Sequence, residues 1–504
     1  MIKEQVKDFS WDFYSKLMIL SYCLLQFIRW PLLPQFMDIY YHLLTAWGFI
    51  QAGGYSGWDF WQYAPAGRVH IYPAVLHIIL AMLMKLGLST VFLAKFFESA
   101  LPIIFLIVLW YFIRSHYSEE LAFFSIVTFS SSFSFYLSLI NHLAATLALI
   151  FGMLSFSQLL QKNYTRSLVL LTVCFYTHIG ISWFFAFTFL IFGFFDQEHG
   201  KKYLIIFITA LILSLPILCK QLSSLNAVSA LGLNLNEKYL CQFKIFNYIL
   251  ALFGLALVFK MDLKYRLFLS LFLASLIFLI YPYRFFSAEG YLPIIFLCAV
   301  SLDTIYQRVK NKHLYLRRIF ILAVVSMLFF SPTISMDKPE GQDNVSFKVS
   351  LFDSAFIGML FAKGQTLWFP KEYLSAATLI KDNSSDADII YSSLNLVGVI
   401  LGSISGRATA NALLPEIKAA RYFNPYAVSR IVIFNRLDEQ NFISRIVKDY
   451  NLTEIGENKI FIIYKNPYAQ TKAQIQRAAV PFWAILSIAL ITIFLFWKSK
   501  NYLT

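Results

Sequence analysis

Residues 121–160 read LAFFSIVTFSSSFSFYLSLINHLAATLALIFGMLSFSQLL and decide the fold class of this chain. They contain two apolar runs, 121–139 and 143–160, without one Asp, Glu, Lys or Arg, and the polar pair Asn141-His142 lies between them. Each run is long enough, or nearly so, to cross the hydrocarbon core of a bilayer as a helix. The sequence therefore predicts two membrane-spanning helices that meet at a polar corner.

The whole chain has the same character. Of its 504 residues, 59% are hydrophobic, 18% are aromatic and only 14% are charged, whereas soluble domains are about a quarter charged. So little polar surface cannot enclose so much apolar volume unless lipid covers the rest. The composition predicts a polytopic α-helical membrane protein. Its formal net charge of +14 falls mainly on the loops between apolar runs, as expected beside a membrane, so nucleic acid is not predicted as a partner.

Hydropathy and loop charge together predict roughly twelve membrane-spanning helices. The run 167–195 is too long for one span and is interpreted as two short helices. Segment 72–85 is kept in an outer loop, because that choice gathers most loop Lys and Arg on the side of the N-terminus, which is then cytoplasmic. The other predicted spans are 14–33, 91–113, 121–139, 143–160, 203–219, 243–259, 267–281, 291–306, 319–335 and 479–497.

Three parts of the chain follow from this pattern. Residues 1–335 form a multi-span membrane domain with a first outer loop at 34–90, and residues 479–504 form a final transmembrane helix with a cytoplasmic tail. Residues 336–478 have the composition of a soluble protein and are predicted to fold as an extracytoplasmic α/β domain. Its predicted elements are helices at 372–382 and 438–450 and strands at 387–391, 452–455 and 459–464.

The first outer loop carries the motifs with the most chemical information. Residues 37–42 read MDIYYH, 54–59 read GYSGWD, 65–68 read PAGR and 72–73 read YP. Asp38 precedes a helical run, and capping the N-terminus of a helix is a common role for Asp. The alternative is a carboxylate that binds a metal ion or a phosphate at the membrane surface. The spacing alone favours the cap and leaves both roles open.

The order of these motifs resembles the first external loop of the catalytic subunits of oligosaccharyltransferases. These belong to the GT-C class of glycosyltransferases, which use polyprenyl-phosphate carriers. The resemblance implies a GT-C-like fold, and it implies that Asp38 is an essential ligand of a divalent cation, Mn²⁺ or Mg²⁺. It also implies that the segment after Tyr72-Pro73 stays in the loop, which agrees with the topology that the loop charges predict.

The family has a second acidic motif at the corner that 141–142 occupies here. The expected carboxylates are replaced by Asn141 and His142. A neutral His can ligate Mn²⁺, and an Asn carbonyl can ligate a hard cation. His142 is therefore a candidate metal ligand and Asn141 a candidate for lining the substrate cavity. A polar pair at the end of a helix is the structural alternative.

Two arginines are candidates for binding the donor phosphate, because Arg is always charged and can form two parallel hydrogen bonds. Arg284 lies in a turn that is similar to an outer-loop Arg pattern of GT-C enzymes, and Arg68 ends the PAGR motif. Snorkelling at a helix end is the alternative for Arg284. His178 and Glu289 are further candidates for the cavity, although a polar helix cap is the favoured role of His178.

Carboxylates near the acceptor are candidates for the catalytic base, and the first loop offers Asp38 and Asp59. Another carboxylate, Glu98, lies inside a predicted span three residues after Lys95. Residues at that spacing share a helix face, so Lys95 and Glu98 are predicted to pair with each other rather than to form a second site.

The outer domain departs from the family in one motif. Residues 372–407 resemble the start of the soluble domain of oligosaccharyltransferases, in which a strand leads into a Trp-Trp-Asp motif that grips the acceptor sequon. Residues 392–395 of this chain read SSLN. Two indoles and a carboxylate are missing, so the sequence predicts that the acceptor is not an Asn-x-Ser/Thr peptide.

The sequence therefore predicts a metal-dependent GT-C-type glycosyltransferase of the cell or plasma membrane. It moves a sugar from a polyprenyl-phosphate or polyprenyl-diphosphate donor to an extracytoplasmic glycan, lipid or protein, and its active site faces outward. The alternatives are a transporter or flippase of lipid-linked glycans and a receptor that uses the outer domain. A transporter should carry polar groups through the membrane, whereas spans 121–139, 143–160, 267–281 and 319–335 contain no charge, which favours the enzyme.

Overall fold

The computed structural model describes residues 10–36, 38–228, 241–310, 314–330, 332–337, 346–361, 370–413 and 417–498, and the predicted cytoplasmic tail lies outside them. Helices dominate the part that was predicted to lie in the membrane. In chain order they are α1 (Trp11–Arg29), α2 (Asp38–Ala52), α3 (Val75–Lys85), α4 (Thr90–His116), α5 (Glu119–Ser130), α6 (Phe133–Asn141), α7 (Leu143–Leu160), α8 (Tyr164–Phe175), α9 (Ile179–Phe195), α10 (Gly200–Ser223), α11 (Ile245–Val258), α12 (Arg266–Ser275), α13 (Pro282–Phe286), α14 (Leu292–Val309) and α15 (Leu314–Phe329).

Several helices among the described residues can cross a membrane. Five segments are long and apolar enough, and α5 with α6 makes a sixth candidate if this bent pair is one broken span. The membrane-protein class is confirmed, while the number twelve stays a prediction. Shorter helices account for the difference, since the 12 residues of α8 rise only about 18 Å. The five segments are Thr90–His116, Leu143–Leu160, Gly200–Ser223, Leu263–Ile280 and Pro282–Val309.

Two predictions about helix breaks can be compared with the structure. The run 167–195 is confirmed as parts of two short helices, α8 and α9. The run 121–139 was predicted as one helix, but α5 and α6 meet at an angle of 82°. The reason is local, because the Ser132 side chain accepts a hydrogen bond from the backbone N–H of Phe135 (3.3 Å) and so begins a new helix.

Short strands tie several loops together. In the first loop, β2 (Trp58–Asp59) pairs with β3 (Arg68–Val69), and β1 (Gly54–Tyr55) pairs with β12 (Val480–Pro481), which directly precedes the last helix, α21 (Phe482–Lys498). A second group contains three antiparallel strands in the order β4-β5-β6. These are β4 (Cys241–Phe243), β5 (Thr333–Asp337) and β6 (Ser346–Ser350), followed by the helix α16 (Ala355–Phe361).

The predicted start of the α/β domain falls within a strand, because β5 spans Thr333–Asp337. The predicted domain starts at residue 336, but β5 and β6 pair with β4 of the loop after α10, and α16 packs on α6. The described elements of the domain are α17 (Pro370–Asn383), β7 (Ile389–Ser392), α18 (Asn395–Ser405), β8 (Ala408–Thr409), α19 (Pro425–Val428), β9 (Ile431–Asn435), α20 (Gln440–Asp449), β10 (Thr453–Glu457) and β11 (Phe461–Lys465).

Its five strands form one mixed sheet in the order β10-β11-β9-β7-β8, in which β7 runs parallel to both β8 and β9. The elements predicted at 372–382, 387–391, 438–450, 452–455 and 459–464 are confirmed as α17, β7, α20, β10 and β11, with bounds shifted by one or two residues.

Helix α18 joins this domain to the first loop by packing on α2. Gly406 ends α18 in the left-handed conformation (φ +66°), where a side chain would be strained. A Cβ at this position would also lie 3.1 Å from the indole nitrogen of Trp47. The glycine thus allows α18 to end directly against α2, the helix that begins with Asp38.

Candidate active site

Asp38 is the first residue of α2, where the positive end of the helix dipole favours a carboxylate. Its Oδ2 lies 3.3 Å from Nε2 of His42, one turn further along the helix, and its side chain remains 33% exposed. The backbone before it is also held. The N–H groups of Gln35 and Phe36 donate hydrogen bonds of 2.9 and 3.0 Å to the Glu98 carboxylate of α4. Asp38 is therefore fixed on both sides and still accessible.

The role of Glu98 corrects the predicted pair with Lys95. The ammonium of Lys95 donates to the backbone carbonyl of Trp30 at 3.3 Å and not to Glu98. Glu98 is only 1% exposed, and backbone N–H groups satisfy its carboxylate instead of a cation. Its position makes it an anchor for the turn that leads into Asp38.

Arg284, Glu289 and His142 form a second polar group, built from two separate parts of the chain. The Arg284 guanidinium donates from Nη1 to Oε1 of Glu289 at 2.8 Å. Nδ1 of His142, at the corner between α6 and α7, lies 3.2 Å from the same oxygen. Glu289 is 2% exposed and Arg284 is 25% exposed. The other carboxylate oxygen of Glu289, Oε2, has no hydrogen-bond partner among the described residues, although a buried carboxylate oxygen normally has one.

Asp38 and the Arg284 group influence each other electrostatically. Burial alone would raise the pKa of Asp38, but the hydrogen bond from His42 and the electrostatic effects of His142 and Arg284 together hold that pKa below its ordinary value. His142, Arg284 and Glu289 contact one another directly. The four residues come from three segments far apart in sequence.

Asn141 and His178 lie at the two nearby helix corners. Asn141 is the last residue of α6 and is half-buried beside His142. His178 accepts a hydrogen bond on Nδ1 from the backbone N–H of Ile181 (3.3 Å), so it caps α9 as the sequence favoured. The ring of His178 lies 6.1 Å from the ring of Tyr72. His178 therefore borders the first loop, and its Nδ1 is occupied by the hydrogen bond that caps α9.

Asp59 and Arg68 do not reach this space. Their side chains, 2% and 1% exposed, form an ion pair with Nε of Arg68 3.0 Å from Oδ2 of Asp59. Arg68 also donates to the backbone carbonyls of Leu413 (2.8 Å) and Ile417 (3.2 Å). Burial raises the pKa of Asp59 to about 6, although Arg68 lowers it.

This packing corrects the roles predicted for the pair, namely Asp59 as a base and Arg68 as a phosphate ligand. Either role would require the side chain to leave a buried partner unsatisfied. The pair instead ties the first loop to the segment that follows β8 in the outer domain.

The place of the missing Trp-Trp-Asp motif is occupied by a closed polar network. The Asn411 amide accepts a hydrogen bond from the N–H of Ser392 (2.7 Å) and donates to the carbonyl of Ser392 (2.8 Å) and to Oδ1 of Asn395 (3.0 Å). These groups satisfy one another at the end of β7. They leave little hydrogen-bonding capacity for a peptide.

Within the described ranges, no three His, Cys, Asp or Glu side chains are grouped closely enough to hold a metal ion. The chemistry of the cluster still suits one, since Asp38 and Glu289 offer carboxylate oxygens and His142 an imidazole nitrogen. The unpartnered Oε2 of Glu289 is an acceptor that a cation could satisfy.

Sequence reasoning missed His42 and His77 as well as the role of Glu98. Asp38 and His42 are four residues apart and share one face of α2, which is a signal that the sequence contains. His77 lies 35 residues after His42, and only the packing of α3 on α2 brings it near.

No protein-family model matches the sequence, and no curated protein matches it. Several solved structures do share its fold. One is the archaeal oligosaccharyltransferase AglB from Archaeoglobus fulgidus in complex with an inhibitory peptide and a dolichol-phosphate, with a TM-score of 0.53 and 10% identity over 84% of this chain and 69% of that chain. The oligosaccharyltransferase from this organism in complex with Zn and sulfate gives 0.53 and 9% over 85% and 69%.

A further similar structure is ArnT from Cupriavidus metallidurans in the apo state, with a TM-score of 0.51 and 8% identity over 92% of this chain and 99% of that chain. Both AglB and ArnT are GT-C glycosyltransferases. Identities this low establish the fold only, and they confirm the GT-C-like fold that the motifs of the first loop predicted.

Proposed function

We propose that this chain is a glycosyltransferase that moves a sugar from a polyprenyl-phosphate or polyprenyl-diphosphate donor to an acceptor outside the membrane. The observation that carries the proposal is the group of Asp38, His142, Arg284 and Glu289, in which a partly exposed carboxylate lies within electrostatic range of a partly exposed guanidinium. The shared fold supports it, because AglB was solved with a dolichol-phosphate and an inhibitory peptide.

Arg284 is assigned to the donor phosphate. Its side chain is 25% exposed and uses Nη1 for Glu289, and a guanidinium has further N–H groups for phosphate oxygens. Glu289 and His142 orient this guanidinium. As the bond between the sugar and the carrier oxygen breaks, the carrier leaves with the electron pair, and the charge of Arg284 stabilises the departing phosphate.

Asp38 is assigned to the acceptor side of the reaction. The acceptor oxygen or nitrogen forms the new bond to the anomeric carbon, and its proton passes to a carboxylate. Asp38 suits this step because it is ionised at neutral pH and accessible, whereas Asp59 is enclosed in its ion pair with Arg68.

A divalent cation, Mn²⁺ or Mg²⁺, is part of the proposal. Asp38, His142 and Glu289 would hold it, and when bound it supplies positive charge to the leaving phosphate. Support comes from the unpartnered Oε2 of Glu289 and from the Archaeoglobus fulgidus structure solved with Zn and sulfate.

The acceptor is proposed to be a glycan, a lipid or a protein without an Asn-x-Ser/Thr requirement. A site built to bind the Ser/Thr hydroxyl needs free polar groups aimed at it. At the end of β7, the amide of Asn411 already satisfies the backbone of Ser392 and the side chain of Asn395. The active site and the α/β domain are proposed to lie outside the cell or plasma membrane, on the side opposite most loop Lys and Arg.

The test is a transfer assay with the full chain and native membrane lipids as the donor, with products identified by mass spectrometry. We expect Asp38→Asn to lower transfer by about 100-fold or more, with only a small change in thermal unfolding, because the helix loses about 0.3–1 kcal/mol of dipole stabilisation and the amide oxygen can still accept from His42. The matched control is Asp449→Asn on the surface of α20. Equal rates for the two variants would remove Asp38 from the reaction.

The acceptor and the alternative function are tested in the same assay. A fluorescent Asn-x-Thr peptide should receive no sugar, and robust transfer that depends on the Thr would restore the plain oligosaccharyltransferase function. Movement of the lipid-linked donor across vesicle membranes without any transfer product would favour the transporter.

A further inference from the structure

Two buried histidines follow Asp38 in a line of contacts between α2 and α3. His42 belongs to α2 and His77 to α3, and they are 2% and 0% exposed. Neither takes part in the transfer step described above. Buried imidazoles are costly unless they form hydrogen bonds, so their arrangement calls for a specific explanation.

Asp38, His42 and His77 form one continuous hydrogen-bonded chain. Oδ2 of Asp38 lies 3.3 Å from Nε2 of His42, and Nδ1 of His42 lies 2.8 Å from Nε2 of His77. Both nitrogens of His42 are therefore in use. Packed aromatic rings keep the two imidazoles in place, because the rings of Tyr72 and Phe49 lie 5.6 and 5.8 Å from the ring of His77.

The Asp38 carboxylate fixes the direction of the first hydrogen bond, and the tautomer of the imidazoles fixes the second. An ionised carboxylate only accepts, so Nε2 of His42 carries the proton that faces Asp38. When His42 is neutral, it accepts on Nδ1, and Nε2 of His77 donates to it. Burial, with His42 and His70 nearby, holds the pKa of His77 well below its usual range, so His77 is neutral and has one N–H to give.

We propose that His77 and His42 are positioning residues that set the orientation of the Asp38 carboxylate. His77 fixes the tautomer of His42, and His42 fixes Oδ2 of Asp38, so that the remaining oxygen points to whatever the site binds. This inference rests on the proposed function of Asp38. It extends that function into α3, a segment whose only other assigned role is packing on α2.

The first test detects the chain without any activity. Solid-state NMR of the full chain in lipid bilayers, with ¹⁵N-labelled histidine, reports which ring nitrogen carries a proton, and His42→Gln and His77→Gln assign the two signals. We expect Nε2–H on both residues. Asp38→Ala should shift the His42 signal, because its acceptor is gone. An unprotonated Nε2 on His42, or a His42 signal that Asp38→Ala leaves unchanged, would overturn the inference.

The second test uses Mn²⁺ binding to the full chain, followed by electron paramagnetic resonance. Removing a group that orients a metal ligand typically weakens binding by about 10- to 100-fold, so His77→Leu should weaken Mn²⁺ binding by at least about 10-fold. His77→Gln should weaken it less, since its amide N–H can still donate to His42.

The matched control is His116→Leu. His116 is half-buried and is the last residue of α4. Its Nε2 lies 2.9 Å from the hydroxyl of Ser157. Unchanged affinity in His77→Leu, or an equal loss in the control, contradicts the positioning role. If the unaltered chain binds no Mn²⁺, the cation of the proposed function fails, and the NMR result decides the histidine chain by itself.

Discussion

The molecule contains two arginine–carboxylate pairs whose surroundings differ. Asp59 and Arg68 are 2% and 1% exposed, and Arg68 also reaches two carbonyls of the outer domain. Glu289 is equally buried, but Arg284 is 25% exposed and Oε2 of Glu289 has no hydrogen-bond partner among the described residues. Both arginines were predicted to bind phosphate. The comparison indicates that the Asp59–Arg68 pair, whose polar atoms all have partners, stabilises the fold. The Arg284–Glu289 pair has polar atoms without partners in the described part of the chain and is available to bind a substrate.

The strongest way to test the enclosed pair is to break it. Arg68→Met leaves the Asp59 carboxylate buried without its cation, and a change of this kind costs about 3–5 kcal/mol of unfolding free energy. We expect a large drop in the melting temperature of the purified protein. The double variant Asp59→Leu/Arg68→Met should recover much of the loss, because no isolated charge remains. A single variant as stable as the unaltered chain would contradict the structural role.

A substitution in the Arg284–Glu289 pair should change the transfer rate more than the stability. Arg284→Lys keeps a positive charge but loses the planar fork that binds phosphate, and we expect the transfer rate to fall by about 100- to 1000-fold, or about 2.7–4 kcal/mol. The melting temperature should change far less than in Arg68→Met. Transfer rates and melting curves of the two variants, measured side by side, test the comparison directly, and the opposite pattern would reverse the two assignments.

A third buried carboxylate sharpens the comparison, because Glu98 has backbone donors in place of a guanidinium. In Glu98→Gln, the amide oxygen can accept from both Gln35 and Phe36 only at the position of Oε2, and the NH₂ group then faces the N–H of Gln35. Leaving buried donors unsatisfied costs about 1–3 kcal/mol. Because this turn leads into Asp38, we expect a moderate loss of both stability and transfer rate. A loss of stability with an unchanged rate would show that Glu98 does not position Asp38.

The sequence predicted the membrane class and the GT-C-like fold because both depend on patterns that are local in the chain. Charge-free runs such as 143–160 indicate helices that can cross a membrane, and the motifs around Asp38 resemble a known loop. The break between α5 and α6 was not predicted, because hydropathy does not register a serine that caps a new helix, as Ser132 does. The boundary at residue 336 was drawn from composition, which does not register that β5 pairs with β4, far away in sequence.

The sequence could indicate the candidate residues, but it could not show which of them contact each other. Asp38, His142, Arg284 and Glu289 were each chosen for their chemistry and their predicted place at the outer ends of helices. The structure shows contacts among His142, Arg284 and Glu289, and the use of all four in one site stays a proposal. Asp59 and Arg68 have the same chemistry and lie in the same loop motifs. Only tertiary packing shows that they satisfy each other, because their further partners come from residues beyond 410.

The smallest effect is expected at an ion pair on the surface of the outer domain. Asp386 is 76% exposed, and its carboxylate lies 2.7 Å from Nη1 of Arg407. The Arg407 guanidinium also donates from Nη1 to the carbonyl of Gly406 (2.8 Å) and from Nη2 to the carbonyl of Ser384 (2.9 Å). Removing the carboxylate therefore leaves the buried guanidinium with other acceptors. Exposed ion pairs contribute about 0–1 kcal/mol, so Asp386→Asn should shift the unfolding free energy by less than about 1 kcal/mol and leave transfer unchanged. Raising the salt concentration should remove even that difference, because solvent screens an exposed pair. If Asp386→Asn lowered the unfolding free energy as much as Arg68→Met, then the exposure of an ion pair and the presence of other acceptors would not predict its contribution to stability in this molecule.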